Sequence, residues 1–322
     1  MTVQTDSRSA LARAADAARF APSVHNTQPW RWIVDGDRLE LYAVTERQLR
    51  FQDPDGHMLL VSCGTALHHA QVALAAESWQ YRIDRPTADP LAVIHLGDRG
   101  PADPQALRQF EQMSVRHTDR RTVSSQPVAA ATLDVLRHIA ELAGAGLHLL
   151  SRDQVIELAV LVERAQKAEN ADDLLRAEST TWVGGDRSDG TGIPEANLPT
   201  ELPLTTVAER DFGAAGTLPA GAGHDSAATY AVLYGAGDEP ADWLHAGEAL
   251  SAVWLAATEH AAGLMPLSSP VEVPHTRHQL SRMLAGVGHP HMVVRLGTFD
   301  ADLPGPGPTP RLPIDQVIQI RE

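Results

Sequence analysis

A single cysteine, Cys63, stands among 322 residues, so no internal disulfide is available and the chain reads as a protein of a reducing compartment. Positive charge is scarce. Lys and Arg number 26 against 41 Asp and Glu, and the resulting net charge of −15 opposes broad contact with nucleic acid or anionic membrane. An anionic ligand must therefore meet a local basic cluster. Long apolar runs are lacking too: the stretch 129–150 is interrupted by Asp134, Arg137, His138 and Glu141, and no run is expected to reach the roughly 18 residues of a bilayer span. Residues 1–9 carry Asp6 and lead into no apolar signal core, so the expected location is the cytoplasm. The common site signatures fail as well. No Gly-x-Gly-x-x-Gly follows a strand, and neither Gly-x-x-x-x-Gly-Lys nor Gly-x-Ser-x-Gly occurs. His68-His69, His275/His278 and His289/His291 lack a third ligand at a recognised spacing, so no metal is expected.

What is present is an ordinary globular composition, 43% hydrophobic and 21% charged, long enough for two domains or one double-sized unit. Periodicity predicts helices over about 7–20, 58–77, 130–142, 152–168, 241–262 and 275–285. A short helix is expected after the Asp103 cap and Pro104. Strands are predicted at 30–34 and 38–44, joined through the tight turn Asp35-Gly36, and at 91–96, 147–150, 228–234 and 291–297. Residues 182–224 are rich in Gly and Pro, have no period and are too long for a plain connection; they read as a lid or a disordered excursion. Two parts of the chain also echo each other. Gly64-Thr65-Ala66-Leu67 opens an apolar helix that precedes the strand 93–97, and Gly247-Glu248-Ala249-Leu250 opens one that precedes the strand 293–297. Strands mixed with long helices, without clean alternation, predict an α+β fold.

Two clusters carry candidate chemistry. The stretch Ala21 to Trp30 closes a helix, makes a polar turn between two prolines and enters a strand; Ser23, Asn26 and Gln28 there can donate and accept as a ring edge or polyol requires. A capped structural turn is the other reading. The second cluster, Arg116-His117-Thr118-Asp119-Arg120, offers two guanidinium forks and a hydroxyl suited to a phosphate; a solvated loop with an internal Arg to Asp119 pair is its alternative.

Pro22-Ser23-x-x-Asn26-x-Gln28-Pro29-Trp30 resembles a signature of FMN-dependent nitroreductases, and Arg116-x-Thr118-x-Arg120 followed by Pro127-Val128 resembles their Arg-x-Ser-x-Arg phosphate motif. Gly263-Leu264, the strand 293–297 and the Pro/Gly-rich segment with Arg311 are similar to that family's C-terminal part. The two motifs come in reversed order, one in each half, which resembles the Acg-like subgroup, whose single chain is a fused dimer. The resemblance implies two nitroreductase-like halves, residues 1–100 and 101–322, each a mixed or antiparallel sheet with long helices, with a lid excursion at about 170–225 in the second. It implies FMN as cofactor, with Ser23, His25, Asn26, Gln28 and Pro29 toward the flavin, Arg116, His117, Thr118, Arg120 and Arg311 toward its phosphate end, and Pro266 beside the ring. No catalytic side chain is assigned, because hydride transfer is the flavin's own chemistry. Two functions are implied: an oxidoreductase passing electrons from NAD(P)H through FMN to a nitroaromatic or quinone, or a lidded store of FMN with little turnover. The expected assembly is a monomeric pseudo-dimer or a weak homodimer.

Overall fold

The computed structural model describes residues 2–213, 216–221, 223–300 and 302–321, with side chains from residue 7 onward. Helix α1 (Thr2–Ala18) turns Leu11, Ala14, Ala15 and Ala18 inward. After the turn at 21–29, β1 (Trp30–Asp35) and β2 (Arg38–Ala43) form the expected hairpin, paired from Trp30↔Ala43 to Asp35↔Arg38, with Gly36 at φ 62 as the tight turn needs. Helix α2 (His57–Ala76) follows, then β3 (Trp79–Asp84), β4 (Ala92–Arg99) and α3 (Pro104–Val115), whose Asp103 cap accepts from the amides of Gln105 and Ala106. The second part of the chain runs α4 (Ala130–Leu142), β5 (Gly146–Leu149), α5 (Arg152–Ala171), α6 (Asp173–Thr181), an irregular excursion, β6 (Thr229–Gly235), α7 (Pro240–Glu259), β7 (Gly263–Leu267), α8 (Ser269–Glu272), α9 (Pro274–Met283) and β8 (His289–Gly297). A tail then leads to α10 (Ile314–Val317) and β9 (Ile318–Ile320).

The strands form two sheets, ordered β3-β4-β2-β1-β9 and β5-β6-β8-β7, an α+β architecture. All pairs are antiparallel except β1 with β9, in which Trp32 to Val34 lie beside Ile318 to Ile320. The first sheet takes its strands from residues 30–99 and, through β9, from 318–320, whereas the second takes all of its strands from residues 146–297. Each sheet has its own core. Trp30, Trp32, Leu41, Leu67 and Ile94 fill the first, and Val232, Leu250, Trp254, Val293 and Leu296 the second.

Helices α2 and α7 join the two cores. Gly64 and Gly247 touch, with each backbone against the other helix: a Cβ on Gly64 would sit 1.9 Å from the carbonyl oxygen of Leu244, and one on Gly247 2.0 Å from that of Val61. One turn on, the His68 ring hydrogen-bonds Ser251 Oγ at 2.9 Å, and beyond that Val72 and Leu255 close in one apolar cluster with Met113. Helix α2 has no Asp, Glu, Lys or Arg and is, by length and composition, apolar enough to cross a bilayer, contrary to the expectation that no run is. Most of it, 78%, is buried inside the protein, and such a core helix passes the same test.

Burial also sets the response to acid. His25 and His69 are held well below the usual histidine range, His57 at about 2, and His68 and His291 at about 4, all chiefly by desolvation. Each imidazole therefore stays neutral in the folded protein while its unfolded counterpart takes up a proton below about 6.5, and stability falls as pH drops from there toward 4. Asp53 and Glu209, both raised by burial to about 7, oppose this by binding protons in the folded state first. Burial raises Glu169 as well, but the five histidines outnumber these three carboxylates, so unfolding at pH 5 takes up protons on balance. The melting midpoint should therefore drop steadily from pH 6.5 to 5 in calorimetry; a flat profile would show that these histidines are solvated.

Candidate active site

The turn that leaves α1 is strained. His25, Asn26 and Gln28 all take left-handed backbone, at φ 45, 55 and 49, a cost of about 1 kcal/mol or more for each residue that is not glycine. Its neighbours hold it there. Ser23 Oγ accepts from the Gln28 amide at 2.9 Å, Ser62 Oγ of α2 accepts from the Val24 amide at 3.1 Å, and Thr65 Oγ1 donates to the Pro22 carbonyl at 2.5 Å. The two side-chain amides then bind other segments of chain. Asn26 Nδ2 donates to the carbonyls of Gly192 and Pro310, and Gln28 donates to Gly190 at 2.7 Å while its Oε1 accepts from the Leu312 amide at 3.0 Å. The excursion and the C-terminal tail are both fastened to this turn.

Beside the turn lies a cavity of about 390 Å³, within the range of small-molecule sites. Ser23, His25, Asn26, Arg116, His117, Thr118, Arg120, Pro266 and Arg311 all line it. The residues singled out in both halves therefore converge on one space. Gln28 and Pro29 are the exceptions: both are buried outside the lining, because Gln28 is spent on the excursion and tail and the Pro29 carbonyl on Val44 and Cys63. Met58, Val61, Leu250, Trp254, Met265 and Met292 give the cavity apolar walls.

Charge in the cavity is unbalanced. Asp119 pairs at 2.6 Å with Arg121, one residue beyond the cluster, and not with Arg116 or Arg120. Arg295 is held by Glu209 and Asp225, each at 2.6 Å. Among the described residues, no carboxylate lies within ion-pair distance of Arg116, Arg120 or Arg311. Arg116 instead stacks on Trp254, 4.4 Å from the ring centre, and Arg311 donates to Asn26 Oδ1 at 3.1 Å. Burial and the neighbouring Arg311 push Arg116 down to about 9, while burial and Arg19 push Arg311 down to about 10. Arg120 falls to about 10 by burial, although Glu209 acts the other way. Arg116 Nε, Arg311 Nε and His25 Nδ1 are buried without a hydrogen-bond partner. Buried donors in this state are rare, and these are fitted to an anionic ligand with further acceptors.

Part of the excursion lines the cavity. Ala208, Glu209, Arg210 and Phe212 line it, and the Phe212 ring meets the His25 ring edge-on, their centres 5.5 Å apart. Trp182, Val183, Ile193 and Leu198 form a small core of their own, whereas Leu202 and Leu204 face outward. Sequence reasoning missed Glu209 and Arg210, since single charges in an aperiodic stretch carry no spacing signal.

No protein-family model matches the chain. Among curated proteins it is 34% identical over 313 residues to "Putative NAD(P)H nitroreductase Rv3131" of Mycobacterium tuberculosis, covering 94% of this chain and 89% of that one. It is 30% identical over 317 residues to "Putative NAD(P)H nitroreductase acg" of the same organism, covering 96% and 95%. The chain belongs to this nitroreductase family and, with it, to the oxidoreductases. Among solved structures, the FMN-dependent nitroreductase NfnB from Mycobacterium smegmatis, in complex with NADPH, aligns with 68% of this chain and 100% of its own at 15% identity, with a TM-score of 0.40.

Proposed function

We propose that the cavity binds FMN and that the protein passes electrons from NAD(P)H through it to a small nitroaromatic or quinone. The observation that carries this reading is a set of three guanidinium groups, Arg116 buried and Arg120 and Arg311 partly buried, that have no ion-pair partner among the described residues and stand beside apolar walls. Such a space suits a ligand with a phosphate at one end and a flat ring at the other. Arg116, Arg120 and Arg311, with Thr118, would hold the phosphate; Ser23, His25, Asn26 and the segment around Pro266 would meet the rest. Bound there, FMN would supply hydride acceptance and transfer. The protein's part is to orient the ring, limit its access to water and admit a second ligand to one face. The relatives' names carry NAD(P)H, which supports it as the electron donor here.

The site would be one per chain, in a fused pseudo-dimer. Gly64 with Gly247, His68 with Ser251 and Val72 with Leu255 are all 183 positions apart; the first two pairs touch and the third shares one apolar cluster. Equivalent positions of a repeat in mutual contact are what a two-fold interface between like subunits produces. This supports an ancestral dimer interface folded into one chain, with the cavity's arginines and its polar turn drawn from opposite halves. The decisive measurement is the visible spectrum of the purified protein and its bleaching by NADPH and by NADH without oxygen. A colourless protein that takes up no FMN would refute the reading.

A second function, storage of FMN with little turnover, is favoured by the cover over the cavity. Phe212 supplies the aromatic ring that lies against His25 of the turn. F212A should keep FMN and let bulky nitroaromatics reoxidise the reduced protein several-fold faster, because the excursion's largest apolar group over the site is gone. Equal rates at equal FMN occupancy would mean that Phe212 is not a gate.

A further inference from the structure

Arg210 belongs to the excursion, yet it is held from several directions. Its Nε donates to Ser269 Oγ at 2.8 Å, Nη1 to His25 Nε2 at 2.9 Å and to Gln52 Oε1 at 3.1 Å, and Nη2 to Glu169 at 2.8 Å and to Glu272. A guanidinium has five N–H donors and no acceptor. Here all five are used, by residues from the turn, the segment before α2, α5 and α8.

Only one of these contacts reaches a ring that has two neutral tautomers, His25. Because Arg210 can only donate, the nitrogen of His25 that faces it must offer a lone pair, and in a neutral ring the proton then sits on Nδ1. The neutral form is enforced: burial, then the charges of Arg210 and Arg120, hold His25 well below the usual histidine range. Nδ1 is the atom left buried without a partner, on a ring that lines the cavity.

We propose that Arg210 is a positioning residue for the cavity ligand: it locks His25 in the Nδ1–H tautomer, so that His25 donates a hydrogen bond to a carbonyl or ring-nitrogen acceptor of that ligand. The inference rests on the FMN reading for the identity of the ligand, but the tautomer is a property of the protein alone. It also gives the excursion a role besides covering the site. A segment that swings away takes Arg210 with it, and His25 is then free to turn its lone pair toward the ligand instead.

The tautomer is read from nitrogen-15 spectra of histidine-labelled, ligand-free protein, with His25 assigned by the signals lost in H25N. The expected pattern is a protonated Nδ1 and an unprotonated Nε2, with Nδ1 shifting when FMN is added. In R210K the charge between Glu169 and Glu272 is kept, but three donors face five acceptors, and the single tautomer should give way to a mixture. FMN affinity supplies a second readout. The amide nitrogen of asparagine stands where Nδ1 stands and that of glutamine where Nε2 does, so H25N should bind FMN within a few-fold of the parent while H25Q binds about tenfold more weakly. An Nε2–H tautomer or an imidazolium in the parent, a pure Nδ1–H form persisting in R210K, or equal affinities for H25N and H25Q would each overturn the inference, even with FMN bound. Absence of any FMN uptake overturns the donor role together with the functional reading, and the ligand-free spectrum alone then decides what Arg210 does to the ring.

Discussion

Replacing Arg116 and Arg120 by alanine should strip FMN from the purified protein. Each removes a charge-assisted contact to phosphate of about 1.5–3 kcal/mol, so the pair should raise the dissociation constant by about 100-fold or more, measurable by fluorescence titration. The same arginines should burden the ligand-free protein. Neither has a carboxylate within ion-pair distance, and burial, helped at Arg116 by the charge of Arg311, lowers both below their usual range. A buried charge without a counter-charge is costly, and methionine at position 116 would keep contact with Trp254 without it. R116M should therefore lose FMN yet melt about 2 °C higher than the parent when both are ligand-free. Unchanged FMN content in the double alanine variant would remove the phosphate assignment. A lower melting point for R116M would mean that its stacking on Trp254 outweighs the desolvation, and that the arginine is structural.

A larger loss should follow from a single methyl group at either glycine between α2 and α7. At both positions the colliding atom is a backbone oxygen, 1.9 Å and 2.0 Å from the added Cβ, so no side-chain rotation relieves it. The helices must move apart, and that separation spreads through the hydrogen bond between His68 and Ser251 and the apolar cluster beyond it. G64A and G247A should each cost about 3 kcal/mol or more in urea denaturation, at the upper end for overpacked sites. The double variant should cost much less than the sum, since the first methyl opens the gap that the second needs. A loss under about 1 kcal/mol in either single variant would show that the crossing is looser than the contact distances say.

Those two glycines were visible as an echo between parts of the sequence, but the fact that they touch was not. A repeat shows which positions correspond; only packing shows that corresponding positions meet. The same limit applies elsewhere. The hairpin of β1 and β2 was legible because Asp35-Gly36 supplies the positive φ its turn requires, and α3 because Asp103 and Pro104 mark its start. β3 was missed although Trp79, Tyr81 and Ile83 alternate with polar residues, a period-two pattern that was there to be read. β7 was hidden by Pro266, which counts against a strand until β7 is seen to lie at the edge of its sheet. At the site, nine of the eleven expected residues share the cavity. Gln28 does not, because whether an amide faces a ligand or a loop depends on chain far away in sequence, here Gly190 and Leu312.

The seat of β9 beside β1 bears on how the protein is made. Synthesis runs from the N-terminus, so β1 leaves the ribosome nearly three hundred residues ahead of β9 and waits for it with one edge unpaired. Such distant pairing slows folding and leaves an open edge exposed meanwhile. Arg311 lies just ahead of β9 on the same returning tail. A nascent chain therefore lacks one of the cavity's three arginines without an ion pair until the segment with Arg311 and β9 is free to dock, and completing the first sheet and completing that arginine cluster become one event.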